Sequence, residues 1–280
     1  MRLAQSDSNT RKRARPEVPS ARNFPLQSRT RAGPSAFPLI SGGTAFVRLA
    51  GCAALACLLL AGRAPLAVAQ TAPPPPGAMK PLGGERYQIG KIIVDRKERR
   101  MTLPARVHVV DRPLEYLLTT TGGMKEYESL FEADISGTEF NLACILLGLE
   151  RDKSQEPYLQ FSPKPLAGPR VEITVAGKDG DRAVRWNASE VMFDAGQKAP
   201  EPVEWVYVGS QKNWQDDRYA ADVTGTLIGF VHDPNTVIES AMGLGIGAYG
   251  SVNGNAALLP SVGAEVEVSI TVPSAGADRK

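Results

Sequence analysis

Between Ser136 and Glu150 the chain reads SGTEFNLACILLGLE, and this stretch narrows its choice of fold more than any other. Ser136 and Glu139 have the S-x-x-E spacing of a capping box. In such a box the hydroxyl accepts from the N3 amide and the carboxylate reaches back to the cap amide. Ile135 before the cap and Phe140 after it add a hydrophobic staple. From Leu142 to Leu149 only Gly148 is not plainly apolar. A helix apolar on all sides must be buried on all sides, so one buried helix is predicted over Gly137 to Leu149. Gly148 or the polar run from Glu150 ends it, and Pro157 forbids a long continuation.

The residues before the helix alternate. Tyr127, Ser129, Phe131 and Ala133 point one way; Glu126, Glu128 and Glu132 point the other, with Leu130 as the exception. That period of two predicts a half-buried strand over Lys125 to Ala133, entered by a turn at Gly122 and Gly123. Elsewhere the chain holds many short apolar runs separated by Gly, Pro and Asp. Strands are predicted over Ile89–Asp95, Met101–Leu103, Arg106–Val110, Leu114–Thr121, Arg170–Ala176, Ala183–Trp186, Val203–Ser210, Thr226–Val231 and Glu265–Val272. Asp233 as cap and Pro234 at N1 predict a helical turn running through Ile238 and Met242. Gly243 to Asn255 reads as a glycine-rich loop. The G-x-G-x-x-G from Gly245 to Gly250 lacks the strand-to-helix setting of a dinucleotide fingerprint. The expected fold class is α+β: mostly antiparallel short strands with one buried helix packed on the sheet.

Charge is unevenly spread. Residues 1–69 hold 10 of the 32 Lys+Arg and 2 of the 30 Asp+Glu, which leaves 22 basic and 28 acidic groups, a net of −6, beyond them. The early segment reads as a leader ending in a secretion signal. Arg48 precedes an apolar run from Leu49 to Ala61, and Ala67-Val68-Ala69 offers an A-x-A cleavage site before Gln70. More than 40 Arg-, Ser- and Pro-rich residues before that run suggest a mis-assigned start, with Val47 as an alternative initiator. Leu49-Ala50-Gly51-Cys52 also fits a lipobox, so lipid on Cys52 is the alternative route to a membrane. Residues 70–86, with Pro73 to Pro76, read as a stiff linker, 87–273 as the folded domain and 274–280 as a polar tail. A periplasmic or secreted location is expected, the membrane being touched only through the signal or that lipid.

Several chemistries lack their parts. A net-acidic body argues against nucleic acid, which calls for a basic face. Cys144 is the one cysteine outside the signal, so the mature chain forms no internal disulfide, and in an apolar helix it reads as a small buried hydrophobe. With His108 and His232 as the two histidines, a thiolate- or imidazole-rich metal site has too few ligands. No Gly-x-Ser-x-Gly elbow is present; Val208-Gly209-Ser210-Gln211 falls short of one. No cofactor is implied.

From Ile92 to Leu149 the chain carries Val94-Asp95, a Pro-bounded strand, Leu114-Glu115-Tyr116-Leu117, Lys125, Tyr127-Glu128-Ser129-Leu130 and the apolar helix ending Leu146-Leu147-Gly148. Later come Trp205, Val208-Gly209-Ser210, Tyr219, Asp222, Gly225, Leu227-Ile228, Asp233-Pro234, Asn255, Leu259-Pro260 and Gly263. This ordered set, over about residues 87–273, resembles the YdjY domain family. The glycine-rich stretch Gly243 to Gly250 departs from it. The resemblance implies an exported bacterial domain of mixed α and β structure with no established reaction.

The expected function is a non-catalytic envelope module that binds a protein, a glycan or a small ligand. Its candidate ligand residues are Lys125, Glu128, Ser129, Gly209, Ser210, Asp222 and Asp233. The alternative is a carboxylate-dependent or metal-assisted hydrolase using Glu128, Asp222 and Asp233. The same groups have structural readings: Glu128 pairs with Lys125, Ser129 faces the core, Asp222 caps a turn and Asp233 caps a helix.

Overall fold

The computed structural model describes residues 78–213, 215–243 and 250–274. The leader, the signal with Cys52, the proline run and most of the G-x-G-x-x-G lie outside them.

In chain order the strands are β1 (Met79–Gly83), β2 (Arg86–Ile89), β3 (Ile92–Asp95), β4 (Arg100–Val107), β5 (Tyr116–Thr120) and β6 (Ser129–Ala133). Helix α1 (Gly137–Leu146) follows, then β7 (Arg170–Asp179), β8 (Arg182–Asn187), α2 (Ala188–Val191), β9 (Met192–Asp194), β10 (Ala199–Pro200) and β11 (Trp205–Tyr207). Last come α3 (Ala220–Thr224), β12 (Thr226–Gly229), β13 (Ile238–Ser240), β14 (Val252–Gly254) and β15 (Glu265–Thr271).

Strands β4, β15, β7, β11, β13, β12, β5 and β6 lie side by side in that order, and β6 returns to β4. The result is a closed barrel of eight strands, a size whose interior side chains can just fill. Pairs β12–β13 and β5–β6 are parallel, and the other barrel pairs are antiparallel. Met101, Leu103, Val107, Leu118, Phe131, Ile173, Val175, Ile228, Ile238, Val268 and Ile270, each 1% exposed or less, fill the core. Fully burying one such side chain is worth about 1.5–3 kcal/mol.

Two strands carry the extra sheet. β3 pairs with the first half of one edge of β4, and β6 with the second half. β11 and β8 divide an edge of β7 in the same way. This division explains how Pro104 sits inside one continuous β4, where the sequence suggested two strands broken around it. Val107 donates its N–H toward the β15 side, to Ala264, and His108 donates toward β6, to Leu130. By alternation the missing N–H of Pro104 faces the gap between the last β3 partner, Thr102, and the first β6 partner, Arg106.

The capping box at Ser136 forms as expected, with both reciprocal bonds to Glu139. Other local expectations are corrected. Helix α1 ends at Leu146, and it is not buried all round: Ile145 is 51% exposed. It packs on β2, β3, β12 and α3, which cover one side only. The predicted strand over Lys125–Ala133 begins only at Ser129. Glu126–Glu128 form a 3-10 turn, held by Glu126 accepting the Gly122 N–H at 2.7 Å, and strand pairing starts where Ser129 meets Tyr116. Asp233 opens a tight turn, not a helix, because the chain is drawn at once into β13 beside β11 and β12. Within the glycine-rich stretch, Val252–Gly254 is a strand that pairs with β9. Among the described residues no helix is long and apolar enough to cross a membrane.

Candidate functional site

Register places Val206, Glu239, Gly229, Tyr116 and Ser129 opposite one another in turn across β11, β13, β12, β5 and β6. They form one lateral row. Val206 belongs to a small cluster with Leu166, Val208, Tyr158 and Ala241, apart from the barrel core, so the row lies on the outer face. Gly229 is its gap. A Cβ there would stand 3.2 Å from Glu239 Oε2 and 3.4 Å from the Tyr116 ring, so both neighbours lean over the missing side chain.

The row is polar yet buried. Tyr116, Glu239 and Ser129 are each 0% exposed. The Tyr116 hydroxyl donates to Asp233 Oδ2 at 2.8 Å, and the Asp233 N–H donates to Glu239 Oε1 at 2.7 Å. The Thr236 side chain faces the Glu239 carboxyl, yet among the described residues neither Glu239 Oε2 nor the Thr236 hydroxyl has a hydrogen bond of good geometry. Burial pushes the Glu239 carboxyl well above the usual carboxylate range; the bond from the Asp233 N–H opposes that, and the Asp233 charge reinforces it. The second Asp233 oxygen accepts from the N–H and the side-chain amide of Asn235, an Asx turn. Ser210 donates its hydroxyl to the Asn235 carbonyl at 2.7 Å. Gly209 and Ser210 both adopt positive φ, and the Gly209 carbonyl accepts the Tyr219 hydroxyl. Ser210 and Asp233 are thus joined in one network through Asn235, while Gly209 is held by Tyr219 and Val237.

Lys125 and Glu128 lie beside the other end of the row. Lys125 Nζ stands 3.0 Å from Glu128 and 3.4 Å from Glu115, and its ammonium lies 5.7 Å from the centroid of the Tyr127 ring. Desolvation raises the Glu115 pKa; Lys125 opposes this and Glu128 adds to it. Ser129, next in sequence, turns its hydroxyl to the Phe131 carbonyl.

A crossing strap, residues 151–169, covers both ends. Arg151 donates to the Ser210 carbonyl at 3.3 Å, Gln160 to Glu115 at 3.4 Å, and the Phe161 N–H to the His232 carbonyl at 2.9 Å. Tyr158 meets the buried His232 ring edge-on, with centroids 5.9 Å apart. Desolvation lowers the His232 pKa, so its imidazole is neutral near pH 7. Beside these groups Met124, Tyr127 and Leu159 remain 67%, 51% and 80% exposed.

Asp222 is engaged elsewhere. Its carboxylate accepts the N–H of Thr138 at 2.8 Å and also the Thr138 hydroxyl, tying α3 to the first turn of α1. A carboxylate there also faces the positive end of the helix dipole. Sequence reasoning missed Glu115, Tyr116, Arg151, Tyr158 and Glu239. One signal was available for Glu239: it is the lone acid in the otherwise uncharged strand Val237 to Ala241. Among the described residues no group of three or more His, Cys, Asp or Glu is placed to hold a metal ion.

A family model described as the YdjY domain matches residues 92–271. No curated protein and no solved structure matches the chain.

Proposed function

The chain belongs to the YdjY domain family, and from that premise we propose that its barrel is an exported, non-catalytic binding module of the bacterial cell envelope. One observation carries the reading. Beneath the strap the polar groups bond to one another, while Met124, Tyr127 and Leu159 stand exposed beside them. Exposed aromatic and methionine side chains with polar groups around them match the make-up of contact surfaces, whose centres are enriched in such residues and whose rims are polar. Its partner is an envelope protein, a glycan or a small ligand, met on the strap side of the barrel through Met124, Tyr127 and Leu159 with Lys125 beside them, while Ser210 and Asp233, both buried, hold the surface in place from beneath. Export rests on the signal-like segment from Arg48 to Ala69. Mass spectrometry of the mature N-terminus tests it: Gln70 as first residue is expected, and a retained peptide from residues 1–40 refutes it.

A second reading has its own observation. Glu115, whose pKa desolvation raises, shares the Lys125 ammonium with Glu128, and a carboxyl in that setting is the general acid or base that a carboxylate-dependent hydrolase requires. The two separate in one experiment. The fragment from Gln70 is mixed with peptidoglycan fragments, polysaccharides and peptides, and both complex formation and product release are followed. Binding without turnover is expected. Turnover that disappears in Glu115→Gln or Glu128→Gln establishes the hydrolase instead.

A further inference from the structure

The tip of the β3–β4 hairpin bears Arg96, Lys97, Arg99 and Arg100, all exposed, with Glu98 as the acid among them. Among the described residues none of these four cations is in an ion pair. Arg96, Lys97 and Arg99 line a concavity of about 590 Å³ with Ile145, Leu146, Leu147 and Gly148, at the C-terminal end of α1.

Cations at a helix C-terminus usually serve its unpaired carbonyls. Here the backbone already serves two of them. Gly148, at φ 84°, donates its N–H to Ile145, and Leu149 donates to Cys144, which is a complete Schellman closure. The carbonyls of Cys144 and Ile145 therefore need no side-chain donor. Ile145 is 51% exposed in the same concavity, where it contributes nothing to the core. The chain beyond residue 69 carries a net of −6, so this basic tip is an exception on an acidic molecule. An anionic surface repels the molecule as a whole through that net charge, while it attracts the clustered cations of the tip.

We propose that this tip seats the domain on a membrane surface bearing acidic phospholipid headgroups. Arg96, Lys97 and Arg99 pair with the phosphates, the two arginines in the forked geometry that phosphate favours. Ile145 enters the boundary between headgroups and acyl chains. Three cations and one aliphatic side chain give reversible, salt-sensitive attachment, each cation contributing about fivefold to partitioning. The attachment is independent of the strap side and of whatever binds there.

The test uses the fragment from Gln70, because every described core residue lies within 89–272. Sedimentation is compared with vesicles of phosphatidylcholine alone and of phosphatidylcholine with phosphatidylglycerol in equal parts, at low and high salt. The fragment is expected to pellet only with the acidic vesicles at low salt. Arg96→Glu, Lys97→Glu and Arg99→Glu together are expected to abolish pelleting, and Ile145→Ser to reduce it severalfold. The same charge change made elsewhere on the surface, at Lys80, Lys164 and Lys178, is expected to retain most of it. All these side chains are exposed, so unchanged melting temperatures confirm folded variants. Equal pelleting with neutral vesicles, or equal loss in the two triple variants, overturns the proposal. So does binding to soluble polyglutamate through the same residues without binding to vesicles, which would assign the tip to an acidic protein partner.

Discussion

Glu239 is fully buried and accepts one backbone N–H, and among the described residues its second oxygen, faced by Thr236, has no hydrogen bond of good geometry. A buried, unsatisfied polar group costs about 1–3 kcal/mol. Because its folded pKa is raised, the stability tied to its neutral form is complete below the ordinary carboxylate value and is lost as pH rises through the folded one. Glu239→Gln keeps the acceptor for the Asp233 N–H and removes the ionisation. The variant is therefore expected to match the wild type in thermal melts at low pH and to exceed it increasingly as pH rises from the ordinary carboxylate value through the folded one, reaching a plateau above that. A constant difference at all pH values contradicts this. The site was only partly readable from sequence at this scale. The Lys125–Glu128 pair and the buried Ser129 follow from short-range spacing. Glu115 and Glu239 do not, because their burial is imposed by a strap distant in sequence.

Helix α1 shows the same division among elements. Its cap was readable because a capping box is a local arrangement of side chain and backbone. Its exposed Ile145 was not, because coverage depends on what packs against each side. The glycine at its start and the one just past its end make different demands. A Cβ on Gly137 would lie 2.7 Å from the Ala221 carbonyl carbon and 2.9 Å from the Asp222 nitrogen, inside the α1–α3 contact. A Cβ on Gly148 meets nothing within 4 Å, but φ there is 84°. Gly137→Ala is expected to cost about 2–3 kcal/mol through forced separation of the helices. Gly148→Ala is expected to cost about 1 kcal/mol through backbone strain alone. Denaturant melts of the two variants check the order, and a reversed ranking would show that the α1–α3 contact yields easily. Pro104 and Asp233 fit this scale too. Proline suggested a broken strand and Asp-Pro a helix start, but pairing across strands decided both.

Across the whole molecule, the many short strands and turn signals made an α+β class readable, and the barrel's closure was not. Closure depends on β6 returning to β4, and on β15 joining β4 to β7 from the far end of the chain. No local pattern specifies those registers. Closure also sets the functional geometry: it lines up Glu239, Gly229, Tyr116 and Ser129 under one strap and leaves Met124, Tyr127 and Leu159 outside. The most direct test of a binding module is to place a photo-crosslinking amino acid at position 127 or 159 in the living cell. Val262, 64% exposed, serves as the control position. A discrete adduct in the envelope fraction at 127 and 159, absent at 262, is the result expected. No adduct at either position, or the same adduct at all three, contradicts the account.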